Sequence, residues 1–157
     1  MKSFPVSANS RLDIRCTLFE AENPLSDGYV LVHHGICHTV EQYKPLIDQL
    51  NAMRINVVMV EQRSDDAWFK NCISLSEYRE NLATVVRQLE KDGYRIDSYV
   101  LHSMGAEIGK EMQLKHRKLR RVTVFLAPVP QRGAWPITWR IMKSRWGDYL
   151  KCVYRLN

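Results

Sequence analysis

A serine that opens a helix directly after a strand is placed to act as a nucleophile, and His102-Ser103-Met104-Gly105 has that setting. The short apolar run Tyr99-Val100-Leu101 precedes it, and a stretch of helical period from Gly105 to Lys115 follows. At so sharp a turn the Ser103 Oγ projects away from the sheet. Gly105 leaves room for the turn, and the Met104 N–H points to where an oxyanion would form. The stretch departs from G-x-S-x-G, because Leu101 stands at the first glycine position. A side chain of that size crowds the turn unless the turn is looser or a neighbouring residue is unusually small. Taken alone, Ser-x-Gly is common by chance and describes a helix N-cap equally well.

A second feature is His34-Gly35-Ile36, at the end of the unalternating run Tyr29-Val30-Leu31-Val32-His33-His34 and itself followed by Tyr43. With His102-Ser103-Met104-Gly105, these residues resemble the H-G…Y and H-S-M-G patterns of the α/β-hydrolase superfamily, nearest to its lysophospholipase and monoacylglycerol-lipase-like esterases. Ala127-Pro128-Val129-Pro130 resembles the segment after a strand in some members, and the likeness covers roughly residues 10 to 133. It implies the N-terminal part of that fold and a serine hydrolase acting on carboxylic esters, with lipid-like esters favoured. It also implies roles. Ser103 would be the nucleophile, the N–H groups of Ile36 and Met104 would form the oxyanion hole, and His34, Gly35 and Gly105 would support them. Such a hole needs both donors about 3 Å from the developing charge, and losing one typically costs about 2.7–4 kcal/mol. Two positions depart from the pattern: the family's glycine-rich turn reads Glu61-Gln62-Arg63-Ser64, and His38 falls one position early.

A graver departure concerns proton transfer. In these enzymes the acid and the histidine follow the serine in the chain, and here only His116 does. A helix from 104 to 116 would put it roughly 18 Å away. His33 and His34 end a strand and His102 adjoins the nucleophile, which leaves His38 as the candidate substitute base, or as a loop histidine bonded to backbone. Glu107, Glu111 and Asp148 offer carboxylates, but without an intervening imidazole they do not complete the relay. The expectation is therefore a truncated hydrolase of low or no activity. The rival reading is a non-catalytic remnant that binds an acyl ligand or a protein partner. No His/Asp/Glu cluster has metal-ligand spacing, and Gly105-Ala106-Glu107-Ile108-Gly109 lacks the Lys-Ser pair of a phosphate loop, so neither metal nor cofactor is expected.

The elements that must position these groups follow from periodicity. Leu12, Ile14, Cys16 and Leu18 alternate as in a half-buried strand, which Glu22 to Gly28 ends; Ile55 to Val60 is a second unbroken apolar run. Tyr43, Leu46, Ile47 and Leu50 recur at helical spacing. Periodicity is lost between Asp65 and Leu75, and then Ser76 reads as the N-cap of a helix with Leu82, Val85, Val86 and Leu89 on its buried face. Val122 to Ala127 is a last buried strand, stopped by Pro128. Strands alternating with such helices predict an α/β fold: a mainly parallel sheet with helices on both faces, C-terminally truncated. Residues 1–133 would form this partial core. Residues 134–157, with Trp135, Trp139 and Trp146 among basic residues, would form an amphipathic tail or the start of a cap.

Composition bounds the rest. The chain has 157 residues, 45% of them apolar, enough for one domain with an ordinary core. Lys and Arg number 23 against 17 Asp and Glu, a net charge of +6, concentrated in Lys115 to Arg121 and near the C-terminus. Such clusters are usually solvated helix ends, and they also offer peripheral contact with an anionic membrane surface. Lys115 to Arg121 and the arginine-interleaved aromatic residues near the C-terminus give a basic nucleic-acid-binding module as the lesser alternative, but the aromatic residues lack an RNA-binding sheet motif, so no nucleic-acid partner is expected. Cys16, Cys37, Cys72 and Cys152 show no C-x-x-C pair, and no apolar run reaches signal-peptide or membrane-spanning length, which together favour a cytoplasmic location. The expected partners are a small-molecule ester or lipid substrate and a second copy of the chain paired through the Val122–Ala127 edge.

Overall fold

The computed structural model describes residues 2–6, 13–35, 39–63 and 75–126. Six strands, β1 (Lys2–Pro5), β2 (Asp13–Phe19), β3 (Tyr29–His33), β4 (Asn56–Arg63), β5 (Ile96–His102) and β6 (Val122–Leu126), form one sheet in the order β1-β2-β4-β3-β5-β6. The last four in that order run parallel, while β2 is antiparallel to both β1 and β4. Three helices accompany them: α1 (Val40–Ala52), α2 (Leu75–Lys91) and α3 (Met104–Lys115).

The unbroken apolar runs of β3, β4 and β5 are strands covered on both faces, as their lack of alternation requires, whereas β6, expected from its sequence to be buried as well, is largely exposed. Val57, Val58, Met59 and Val60 of β4 are all fully buried. Successive side chains point to opposite faces, so the runs divide. Leu31, Val58, Val60, Tyr99 and Leu101 pack with Leu82, Val86 and Leu89 of α2 and Ile108 and Met112 of α3. Val32, Val57, Met59 and Val100 pack with Tyr43 and Ile47 of α1. Each such side chain stabilises the fold by about 1.5–3 kcal/mol relative to exposure, so α1 on one face and α2 with α3 on the other are held to the sheet mainly by these residues. Among the described residues, no helix is long and apolar enough to cross a membrane.

Some boundaries differ from the sequence reading. β1 carries no apolar alternation, and its edge position tolerates Pro5. Helix α2 already begins at Leu75, so Ser76 lies in its first turn and is not its N-cap. The largest correction concerns Glu61-Gln62-Arg63. These residues are not a turn but the end of β4, paired with Arg15, Ile14 and Asp13 of β2. Their polarity suggested a loop; burial of Glu61 and Gln62 with partners explains why the strand continues through them. Glu61, 3% exposed, accepts the Val40 N–H at the start of α1 through Oε1 at 3.2 Å, where the positive end of the helix dipole favours an anion.

Gln62 belongs to a buried polar island at the ends of β3 and β4. Its Nε2 donates to the Tyr78 carbonyl at 3.4 Å and to His33 Nε2 at 3.0 Å. With Nε2 accepting, the His33 proton sits on Nδ1 and is donated to the His34 carbonyl at 3.0 Å. Both ring nitrogens are satisfied by the neutral form. Burial, with a smaller repulsion from His34 and against the backbone bond, pushes the His33 pKa down to about 3.

Two predictions follow from this packing. An unfolded histidine takes up a proton near pH 6.5, whereas folded His33 does so only near 3; the unfolded state therefore binds more protons in between. Stability is complete above pH 6.5 and falls with decreasing pH, by at most about 1.4 kcal/mol per unit. Urea midpoints between pH 7.5 and 5 should show this slope flattened in His33→Gln; an equal slope in the variant would contradict it. The second prediction concerns β6, which has no strand on its outer side among the described residues and exposes Val122 (78%), Val124 (52%) and Phe125 (42%). A strand paired antiparallel with its own copy satisfies both edges by one two-fold operation. Sedimentation of the 157-residue chain at micromolar concentration is expected to show dimers that Phe125→Lys weakens. A clean monomer, unchanged by that substitution, would refute edge pairing.

Candidate active site

Ser103 joins β5 to α3 with φ 52° and ψ −119°. This is the backbone of the first central residue of a type II′ turn, a position that glycine normally takes. A residue with a Cβ held there stores about 1–3 kcal/mol of strain, which the surroundings must impose. They do so from two directions: the Ser103 N–H donates to the Leu126 carbonyl of β6 at 2.9 Å, and its carbonyl accepts the Ala106 N–H at 3.0 Å. The Ser103 side chain makes no capping bond to α3. The helix-cap role that the sequence also permits is thus not the one the serine performs. The Met104 amide belongs to the first turn of α3, whose N–H groups lack intrahelical acceptors and carry the positive end of the dipole.

Gly105 is required by a close approach. A Cβ there would lie 2.6 Å from His33 Nδ1 and 2.7 Å from the His34 carbonyl oxygen, so the start of α3 rests directly on the end of β3. One turn later, a Cβ on Gly109 would lie 2.3 Å from Leu101 Cδ1. This resolves the crowding that Leu101 creates in place of glycine: the small residue that makes room is Gly109, and Leu101 is fully buried.

On the other side of the serine, the chain leaves β3 through buried His34 and Gly35. His34 Nε2 accepts the Gln62 N–H at 3.0 Å, and its Nδ1 bonds the Gly35 carbonyl. The Gly35 N–H donates to Tyr43 Oη at 3.0 Å, and Tyr43 Oη lies 2.7 Å from His102 Nδ1. Burial raises the Tyr43 phenol above its ordinary pKa, opposed by the Gly35 bond.

Of the residues singled out from sequence, Ser103, Met104, Gly105, His34 and Gly35 come together at the C-terminal ends of β3 and β5. Ile36 and His38 lie outside the described residues, as do Asp148 and residues 134–157. His116 caps the C-terminal end of α3, far along the chain from Ser103, with Nε2 bonded to Glu80 at 3.1 Å and Nδ1 accepting from Arg87 at 2.9 Å. Glu111 pairs with Arg79 at 3.1 Å. Cys16 is buried, which pushes its thiol up to about 12 and makes it a poor nucleophile. Among the described residues, no three His, Cys, Asp or Glu side chains converge on a metal site. Sequence reasoning missed the Gln62 side chain, although two polar residues running straight on from Val57–Val60 were a usable signal. It also quoted Tyr43 without a role for its hydroxyl.

No family model and no curated protein sequence matches the chain. Solved structures do. A highly thermostable carboxyl esterase from Bacillus coagulans superposes with TM-score 0.66 at 15% identity, over 98% of this chain and 56% of that one. A probable hydrolytic enzyme from Pseudomonas aeruginosa PAO1 gives 0.63 at 17% identity, over 91% and 49%. An alpha-beta serine hydrolase homologue from Coxiella burnetii gives 0.59 at 14%, over 86% and 66%. The chain thus spans about half the length of the first two. With its sheet order, its helices on both faces and its strained serine between strand and helix, the chain has the α/β-hydrolase fold.

Proposed function

We propose that the chain is a serine hydrolase acting on carboxylic esters, with lipid-like esters favoured, located in the cytoplasm. The observation that carries this reading is Ser103, held at φ 52° with a side chain that caps nothing. A conformation that costs energy, at a serine free of structural duty, fits a hydroxyl kept for chemistry. The similar structures named as esterase and hydrolase support the same class. In this reading Ser103 Oγ attacks the acyl carbon, its proton passes to a base, and the alcohol leaves from an acyl-enzyme that water then hydrolyses. The Met104 N–H holds the oxyanion, joined by that of Ile36; His38 is the candidate substitute base, or a loop histidine bonded to backbone.

One set of observations favours a second reading, in which the site binds an acyl ligand or a protein partner without turnover. Each described histidine has another engagement: His33 with Gln62, His34 with the Gln62 amide, His102 with Tyr43, His116 with Glu80. The basic run is likewise occupied in part, Lys115 by Glu80 and Arg121 by Glu90, which lessens its appeal as a surface for polyanions.

A fluorophosphonate probe separates the two. Covalent labelling lost in Ser103→Ala is expected; folded protein that does not label supports binding alone. Hydrolysis of a short aryl ester is expected at no more than about a hundredfold above Ser103→Ala, since without a full triad only the oxyanion hole and binding contribute. Turnover in the usual range of about 1–10³ s⁻¹ would contradict this and direct attention to His38.

A further inference from the structure

The hydroxyl of Tyr43 accepts the Gly35 N–H at 3.0 Å and lies 2.7 Å from His102 Nδ1, within hydrogen-bond distance. It joins the two pieces of backbone between which an acyl group would sit: the loop leaving β3, and the residue immediately before the strained serine. The ring that carries it is 7% exposed and packs with Val32, Ile47 and Val100, so the hydroxyl is delivered from a rigid part of α1. His102 also meets the Tyr43 ring edge-on, with centroids 5.9 Å apart.

We propose that Tyr43 is a positioning residue, whose hydroxyl ties the backbone at Gly35 to the turn at Ser103 and so holds the Ser103 Oγ and the Met104 N–H in register. The proposal rests on the reading of Ser103 as nucleophile. The Gly35 amide, spent on Tyr43, is not itself offered to substrate. The bond to His102 holds the residue whose displacement would let Ser103 relax from φ 52°. The spacing from Gly35 to Tyr43 then has a physical reason: eight residues bring the chain through the loop and into the first turns of α1, where a tyrosine reaches back to the strand end.

Tyr43→Phe tests this, because it keeps the ring and the apolar packing and removes both bonds. A phosphonate places its P–O oxygen where the oxyanion would lie, so its reaction with Ser103 reads the register of the site. In Tyr43→Phe the maximal labelling rate is expected to fall about ten- to a hundredfold, less than deletion of an oxyanion donor, with the half-saturating probe concentration little changed. Ile47→Val, in the same cluster, serves as the structural control: it should lower the melting temperature and leave the labelling rate alone. An unchanged rate in Tyr43→Phe, or an equal fall in Ile47→Val, would overturn the proposal. A second readout does not depend on reactivity. The amide resonances of Ser103 and Met104 should shift with that of Gly35 in Tyr43→Phe, while those of Leu82 and Val86 in α2 stay in place. If wild-type protein fails to label, the nucleophile reading fails and the resonances decide the coupling. A shift confined to Gly35 would refute it.

Discussion

The structure depends on one close approach. Helix α3 starts on top of the end of β3, at a distance that only glycine permits, with a Cβ on Gly105 falling within 3 Å of both a ring nitrogen and a carbonyl oxygen. Because the helix begins there, the chain leaving β5 has no length in which to turn gently, and a single residue must reverse it. That residue is Ser103, and its left-handed backbone is the consequence. Gly109 repeats the condition one turn on, letting the same helix face settle over Leu101. The sharp turn at Ser103 follows from helix packing.

The surface on which α3 rests is polar, which is unusual so near a core. His33, His34 and Gln62 are each 4% exposed or less, and they remain buried because each donor has an assigned acceptor. The cost of the arrangement is visible at Gln62 Oε1, a buried acceptor with no partner. The geometry it secures is specific: apolar residues would pack as well, but hydrogen bonds fix which carbonyl faces which helix. Glu61, on the opposite face of β4, binds the first amide of α1 and so places Tyr43.

Much of this was legible in the sequence, and the unread part has a physical character. The parallel strands and their two-sided helices were readable because burial on both faces leaves an unbroken apolar run, as at Val57 to Val60. The turn at Ser103 and Gly105 was readable because a short apolar run precedes these residues and a helical period follows them. Glu61 and Gln62 were not, since the rule that polar residues end strands fails where each finds a buried partner from another element. Likewise β1 was missed because an edge strand with one face in water need not be apolar. Nor could the spacing of Tyr43 reveal its two bonds, which depend on where the chain returns.

The packing of α3 forces Ser103 into a conformation it would not choose. Ser103→Ala and Ser103→Gly both remove the hydroxyl and differ in backbone freedom alone, so their difference in unfolding free energy measures that constraint. Where no strain exists, glycine is the less stable of the two by about 0.5–1 kcal/mol. The strain inferred from φ 52° predicts the reverse, with Ser103→Gly more stable than Ser103→Ala by about 1 kcal/mol or more. Glycine below alanine in urea unfolding would contradict the claim that the fold holds this serine under strain.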